Sequence, residues 1–191
     1  MELADAIRKR RSIRRFKQLQ VPEKLIHTLI DAARMAPCAG NMQILRFISV
    51  TEKSLVLSVF RETFWAAQVK PHRTPVAEVT APVAFIAVVA PDDASAILHA
   101  DAGAAIQNIL LCAADNVLGS CWIGAFNKDK VDALLDLPAG MKVLYLVALG
   151  FPYESPVMEN IEEGDSTKYY LDDKDVLHVP KYTVEALTTW K

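Results

Sequence analysis

Residues 97–119, ILHADAGAAIQNILLCAADNVLG, are the stretch that leaves this chain the fewest options. Their spacing predicts a helix of about twenty residues, apolar nearly all the way round and ended by Gly119. A helix without a polar face has to be covered on every side, by this chain or by a second one. It is not read as a membrane span, because Gln107 and Asn108 interrupt an apolar run already short of the ~20 residues a span needs. The whole chain has 191 residues, 52% of them hydrophobic, enough for one domain with a substantial core and for burial against a partner subunit.

The rest of the pattern alternates helix and strand. MELADAIRKR places Leu3, Ala6, Ile7 and Arg10 at helical spacing, with its basic end at the C-terminus. VPEKLIHTLIDAARMAP puts Leu25, Ile26, Leu29, Ile30 and Ala33 on one side of a helix that opens at Pro22 and stops before Pro37. ILRFISVT, APVAFIAVVA, the short SCWIGAF and MKVLYLVALG read as strands, mostly buried. Asn127 caps a helix over KDKVDALLDL, which LPAG breaks. This order predicts helices on both sides of a mixed sheet. The last forty residues, from about 152, are more polar and read as an extended tail that wraps something and ends in a short helix begun by Thr183.

Charge and cysteine usage exclude several classes. The N-terminus has no uniform apolar core, so it is not read as a secretory signal, and a cytoplasmic chain is expected. The three cysteines, Cys38, Cys112 and Cys121, form no CxxC pair and have no metal-ligand spacing with the four histidines, so reduced thiols and no metal are expected. Seven of the 21 basic residues fall within RKRRSIRRFK, residues 8–17, in a chain of net charge −2. Such a cluster is either a solvated helix end, a nucleic-acid patch or an anion site. The acidic remainder, without basic stripe or interleaved aromatics, argues against nucleic acid. Ser12 among the arginines favours a phosphate group, since arginine forks and a hydroxyl are its natural donors. With no GxxxxGK[ST], no GxGxxG and seven glycines in all, any such phosphate is held by side chains.

RRSIRRF, VPEKLIHTLIDAARMAPCAGNMQ, ADAGAAIQNILLCAADNVLGSCWIGAFNKDKVDALLDLPAG and DVLHVPKYTVEAL, in that order, resemble the nitroreductase family of FMN-dependent oxidoreductases. The resemblance runs from residue 8 to about 188, with no purchase at 52–80 or 155–174. It implies an α+β fold: a three-layer α/β/α sandwich on a mixed, mainly antiparallel sheet. It further implies an intertwined homodimer with two FMN sites at the interface, with residues 1–191 as one domain and the segment from about 152 wrapping the partner.

The resemblance also assigns residues. Arg10 and Ser12, with Arg11 between them, would hold the phosphate and ribityl end of FMN, and Arg14 would lie at the N1 and C2-carbonyl edge of the ring. A cation belongs there because two-electron reduction leaves negative charge on that edge. Arg8, Lys9, Arg15 and Lys17 carry no family role. Pro37, Cys38, Ala39 and Asn41 would reach the partner's cofactor, with Gln43 bracing their loop, although a helix-ending turn with Gly40 at positive φ explains Pro37 and Gly40 unaided. Trp122, Ile123, Gly124 and Ala125 would run past the pyrimidine and N5 side, and Lys181 would complete the phosphate site. Three departures stand out: Cys38 replaces a serine, Ile44-Leu45 replaces Pro-Trp, and Tyr182 replaces a second basic residue.

The implied activity is transfer from NADH or NADPH through FMN to a nitroaromatic, quinone or similar flat acceptor, by a ping-pong mechanism. Flavin proteins of the same fold with another reaction (dehalogenation, flavin fragmentation, enone reduction), or a non-catalytic flavin-binding protein, are the alternatives. No acid–base residue is required, and His27, His72, His99 and His178 are read as structural or exposed. Phe64 and Trp65 are either a lid over the flavin or core and dimer contacts.

Overall fold

MKVLYLVALGFP is apolar on both faces, and a strand of that kind needs a helix layer above and below it. The computed structural model, which describes residues 1–65, 69 and 73–191, supplies both layers. In chain order the elements are α1 (Leu3–Lys9), β1 (Phe16–Lys17), α2 (Glu23–Arg34), a 3₁₀ turn (Ala39–Asn41), β2 (Arg46–Val50), α3 (Lys53–Arg61), β3 (Ala84–Pro91) and α4 (Ala96–Asp115). There follow β4 (Gly119–Ile123), α5 (Lys128–Leu134), β5 (Met141–Pro152), β6 (Val157–Ile161), β7 (Tyr170–Leu171), β8 (Leu177–Tyr182) and α6 (Val184–Leu187).

β5 pairs antiparallel with β3 along one edge and with β4 and β1 along the other, and β3 pairs antiparallel with β2. Strand alternation splits the core in two. Ile86, Val88, Leu144, Val147 and Leu149 face Ile26, Leu29, Ile106 and Ile109 of α2 and α4. Phe85, Ala87, Val89, Val143, Leu146 and Ala148 face Val56, Val59, Phe60 and Val131 of α3 and α5. This is the expected three-layer α/β/α sandwich. The strand pairs of its five-stranded sheet are antiparallel; among the described residues, parallel contacts are the isolated Ser12–Ser120 bridge and the β6–β8 pair of a separate sheet.

Four expectations are corrected. First, α4 ends at Asp115, and Val117, not Gly119, takes the left-handed conformation (φ 60°). The Leu118 amide donates to the Ala113 carbonyl (2.8 Å) and that of Val117 to the Ala114 carbonyl (3.2 Å), a Schellman closure. Gly119 opens β4 for another reason: a Cβ there would stand 2.8 Å from Ile13 Cγ2 and 2.9 Å from Ile13 Cβ. Second, α4 is not enclosed by its own chain. Leu98, Ala102, Ala105, Ile106, Ile109, Leu110 and Ala113 are buried while Ile97 is 57% exposed. Third, α1 buries only Ala6, leaving Leu3 and Ile7 exposed. Fourth, the polar C-terminal stretch is not an extended tail. It forms a three-stranded sheet in the order β6-β8-β7, anchored by Leu177, which is 1% exposed in the α3/α5-side core. Thr183 does begin the terminal helix, its hydroxyl accepting from the Ala186 amide.

The 52–80 region, for which the sequence yielded no element, contains α3. Glu52 caps it by accepting from the Ser54 and Leu55 amides, and Val56, Val59 and Phe60 supply its buried stripe. α4 is also the one helix among the described residues long and apolar enough to cross a membrane, yet it packs on the sheet and on α2.

Two substitutions of opposite sign test the α4–β4 junction. Gly119→Ala is expected to destabilise by about 1–3 kcal/mol through overpacking against Ile13. Val117→Gly, at an exposed left-handed position, is expected to stabilise by about 0.5–1 kcal/mol, since a non-glycine residue loses ~1–2 kcal/mol there and glycine loses part of that in chain entropy. Urea unfolding midpoints of the two variants measure both.

Candidate functional site

The basic segment begins where α1 stops. Arg10 is the C-cap residue, and Ser12 then bridges to Ser120 of β4 while the Ile13 amide donates to the Ser120 carbonyl at 2.9 Å. Burial of Ile13 thus fixes the strand, leaving Arg10, Arg11, Ser12 and Arg14 half-buried along it. Burial pushes the Arg10 guanidinium below the ordinary arginine value, and that of Arg11 is lowered by burial and by Arg10 beside it. Arg11 Nε is buried without a hydrogen-bond partner, although its Nη1 donates to the Arg10 carbonyl at 2.5 Å. Arg14 lays its guanidinium over the Tyr169 ring, 5.3 Å from the centroid. Among the described residues Arg10, Arg11 and Arg14 have no carboxylate within ion-pair distance, whereas Arg15, Arg34 and Arg73 do.

β4 carries the second part. Cys121 is buried beneath the arginines, its thiol pushed up by burial and so protonated. Trp122 is 39% exposed and meets Tyr145 edge to face at 5.1 Å, and the Tyr145 hydroxyl lies 3.1 Å from His99 Nδ1. Ile123 points into the core, so only its backbone faces outward, while Gly124 and Ala125 are exposed just beyond the strand. The Ala125 carbonyl accepts from the Phe64 amide at 2.9 Å. Phe64 is exposed; Trp65 is not, donating from Nε1 to Thr63 Oγ1 at 2.6 Å and packing on Phe60. The pair read either as a lid or as core and dimer contacts is therefore divided: Trp65 belongs to the core and Phe64 is exposed.

The loop Pro37–Gln43 lies elsewhere. Gly40 (φ 57°), Asn41 (φ 54°) and Gln43 (φ 50°) all adopt left-handed backbone, and Ala39 is tied to α4 by its amide donating to Asp101 Oδ1 at 3.1 Å. Gln43 spans the turn by donating to the Asn41 carbonyl and accepting from Arg46. Pro37, Cys38 and Asn41 line a cavity of about 260 Å³ with Arg34, Arg46 and Asp101. The Arg10–Arg11 segment sits instead at the far end of α4, lining a cavity of about 240 Å³ with Ala114, Val117 and Leu118. At 1.5 Å per residue the two lie roughly 20 Å apart along the helix, so one chain does not bring them together.

Lys181 is exposed on β8 opposite Asn160 and, among the described residues, makes no ion pair. Its sheet is clasped by His178, with Nδ1 2.5 Å from Glu159 Oε1 and Nε2 3.2 Å from Asp172 Oδ2. Tyr170 stacks on the ring at 4.8 Å and donates its hydroxyl to the same Glu159. The group spans β6, β7 and β8, so one imidazolium ties all three strands. His72, read with the other histidines as structural or exposed, lies outside the described residues.

The sequence pattern of the Nitroreductase family matches residues 7–151, which include the basic segment, the loop and β4. The chain belongs to the nitroreductase family. A protein of Methanothermobacter thermautotrophicus, provisionally named NADH dehydrogenase/NAD(P)H nitroreductase, is 30% identical over 171 residues, covering 86% of this chain and 85% of its own. The NADPH-flavin oxidoreductase of Vibrio harveyi is 25% identical over 94% of this chain and 84% of its own. Among solved structures, a nitroreductase family protein of Clostridium novyi NT matches with a TM-score of 0.69 at 30% identity, over 81% of this chain and 87% of that one.

The nitroreductase cofactor is FMN, and the residues present fit it. A half-buried run of three unbalanced guanidinium groups, one with an orphaned Nε, is what a phosphate and a reducible ring would neutralise. Four residues packed on or paired with the basic segment or its anchors escaped the sequence reading: Tyr169, Arg73, Glu154 and Asp175. No local periodicity marks them, because their partners lie far away along the chain. Arg73 and Glu154, each 3% exposed, form a buried ion pair at 3.4 Å, and Glu154 Oε1 accepts from the Arg14 (2.5 Å) and Arg15 (3.2 Å) amides.

The His178 clasp yields a pH prediction. Asp172, then Glu159, hold the imidazole above its ordinary value, while burial opposes them. A histidine whose folded value is raised contributes stability that is complete below the unfolded value of ~6.5 and is lost as pH rises through the folded one. His178→Gln should remove that part of the pH dependence of the unfolding midpoint. An NMR titration of wild-type His178 should give a midpoint above that of an unfolded-chain histidine.

Proposed function

We propose that this nitroreductase family member transfers two electrons from NADH or NADPH, by way of FMN, to nitroaromatics, quinones or similar flat acceptors, in a site completed by a second copy of the chain. The observation that carries this reading is the unbalanced trio Arg10, Arg11 and Arg14 within the segment that the family pattern matches. When bound, FMN supplies the redox chemistry, being reduced by the nicotinamide and reoxidised by the acceptor in alternating half-reactions. Arg10, Arg11, Ser12 and Lys181 would hold its phosphate and ribityl end by charge-assisted hydrogen bonds. Arg14 would oppose the negative charge that reduction places on the ring. The exposed backbone at Trp122, Gly124 and Ala125 would lie along the ring, where the lack of a side chain at Gly124 permits close approach. Phe64, held beside Ala125 through its amide, would offer an aromatic face to a flat acceptor.

The second copy is supported by the separation of the two half-sites along α4. The Pro37–Asn41 loop, with Gly40 and Asn41 in left-handed backbone, at a site that Arg10, Arg11 and Arg14 of the same chain do not reach, would serve the partner's flavin. Exposed Leu3, Ile7, Ile97 and Trp190 would supply apolar surface for that contact, and the segment from 152 onward would wrap the partner.

Purified protein is expected to be yellow, to bleach under anaerobic NADH or NADPH and to recover on adding a nitroaromatic; protein that binds FMN and does not bleach would leave the flavin-carrier reading. Light scattering should report a dimer, and a monomer with tightly bound FMN would refute the composite site. Arg10→Ala should weaken FMN retention by about 1.5–3 kcal/mol, the loss of one charged hydrogen bond, with little effect on midpoint potential. Arg14→Gln should instead lower the two-electron potential by about 30 mV or more in an anaerobic redox titration with FMN in excess.

A further inference from the structure

We propose that Glu154 is the positioning residue for Arg14, and that Arg73 is the counter-cation that keeps this carboxylate from cancelling the Arg14 charge. The proposal rests on the reading of Arg14 as the residue that opposes charge on the reduced flavin. Glu154 is buried, yet it takes the backbone of the basic segment and not its guanidinium groups, since Oε1 accepts from the Arg14 and Arg15 amides. Oε2 is turned away to Arg73 Nη1. Arg73 in turn pairs with Asp175 at 3.5 Å and donates to the Asp175 carbonyl, and Asp175 pairs with Arg15 at 3.6 Å.

The charges of Glu154, Asp175, Arg73 and Arg15 therefore balance among themselves. Arg14, stacked on Tyr169, is left with its cation unspent although a buried carboxylate grips its own amide. An anchor for two amides needs no charge, because a backbone carbonyl would serve. A buried ion pair is a costly alternative, and here both Glu154 Oε2 and Arg73 Nε lack a hydrogen-bond partner. Oε1 supplies the anchor at the Arg14 amide, and the ion pair on Oε2 keeps the charge of that anchor from neutralising the Arg14 guanidinium.

The test is an anaerobic redox titration of FMN-loaded Glu154→Asp and Glu154→Gln, each also made in the Arg14→Gln background. Aspartate keeps the charge but withdraws the acceptor by one methylene; glutamine keeps the acceptor and removes the charge. Glu154→Asp should reduce the preference for reduced over oxidised FMN at least tenfold, about 30 mV for a two-electron couple. Glu154→Gln should not reduce it, and the effect of Glu154→Asp should vanish once Arg14 is Gln. Arg73→Met leaves Glu154 charged without its counter-cation, should also lower the potential, and carries the test if Glu154→Asp does not fold. An unchanged potential in folded Glu154→Asp, or in folded Arg73→Met, overturns the proposal, even if thermal stability falls. An unchanged potential in Arg14→Gln alone overturns instead the placement of Arg14 on which it rests.

Discussion

Pairing of β5 along both of its edges is the constraint from which the rest of this molecule follows. A twelve-residue strand is paired with β3 over 141–149 on one side and with β4 and β1 over 146–152 on the other, and its two faces seed the two cores. Crowding along it is severe: a Cβ at Gly150 would stand 2.9 Å from Phe16, so β1 lies directly on the β5 backbone. Because β1 and β4 share that edge, the basic segment before β1 is drawn against β4, and Ser12 meets Ser120. Chemistry-bearing residues more than one hundred positions apart become neighbours through backbone pairing alone.

Charge is distributed around that frame unevenly. Positive groups that serve the scaffold are paired: Arg15 and Arg73 with Asp175, Arg34 with Asp31, Lys130 with Glu62. Those along the Arg10–Arg14 segment are desolvated or stacked and left unbalanced. Folding alone gives no reason to hold several guanidinium groups together without anions, since each adds repulsion and desolvation. The imbalance is the electrostatic form of an anion site, and the complement proposed for it is a flavin phosphate and a reduced ring.

α4 links the basic segment to the Pro37–Gln43 loop. Its inner residues pack on α2 and the sheet, while the basic segment and the Pro37–Gln43 loop attach near opposite ends of it. The length of the helix holds those two attachments apart, which is why the proposed site needs the loop of a second copy to meet Arg10, Arg11 and Arg14. The apolar surface left outside α4 and α1 has the same direction of use, because a helix of this composition gains by being covered on the side its own chain leaves open.

Local rules were enough for much of this. Helical spacing placed α2, the caps at Asn127 and Thr183 were legible as single residues, and apolar runs marked four of the five main-sheet strands and the short β4 among them. Motif resemblance reached the family, and it singled out Arg10, Ser12 and Arg14 as candidates because they lie within one short segment whose spacing is recorded in the chain itself. Tertiary structure decided the rest. Gly119 looked like a helix stop, but the stop fell on Val117 and the glycine was needed for Ile13, more than one hundred residues earlier. Phe64 and Trp65 are adjacent and alike in type, and only the position of the Thr63–Phe126 bridge separates a core residue from an exposed one. Glu154, Arg73 and Asp175 carry no periodic signal at all. Hydrogen bonds within a helix or turn join residues three or four apart and so leave a pattern in sequence, whereas a buried ion pair is selected by partners that only the folded chain brings within reach.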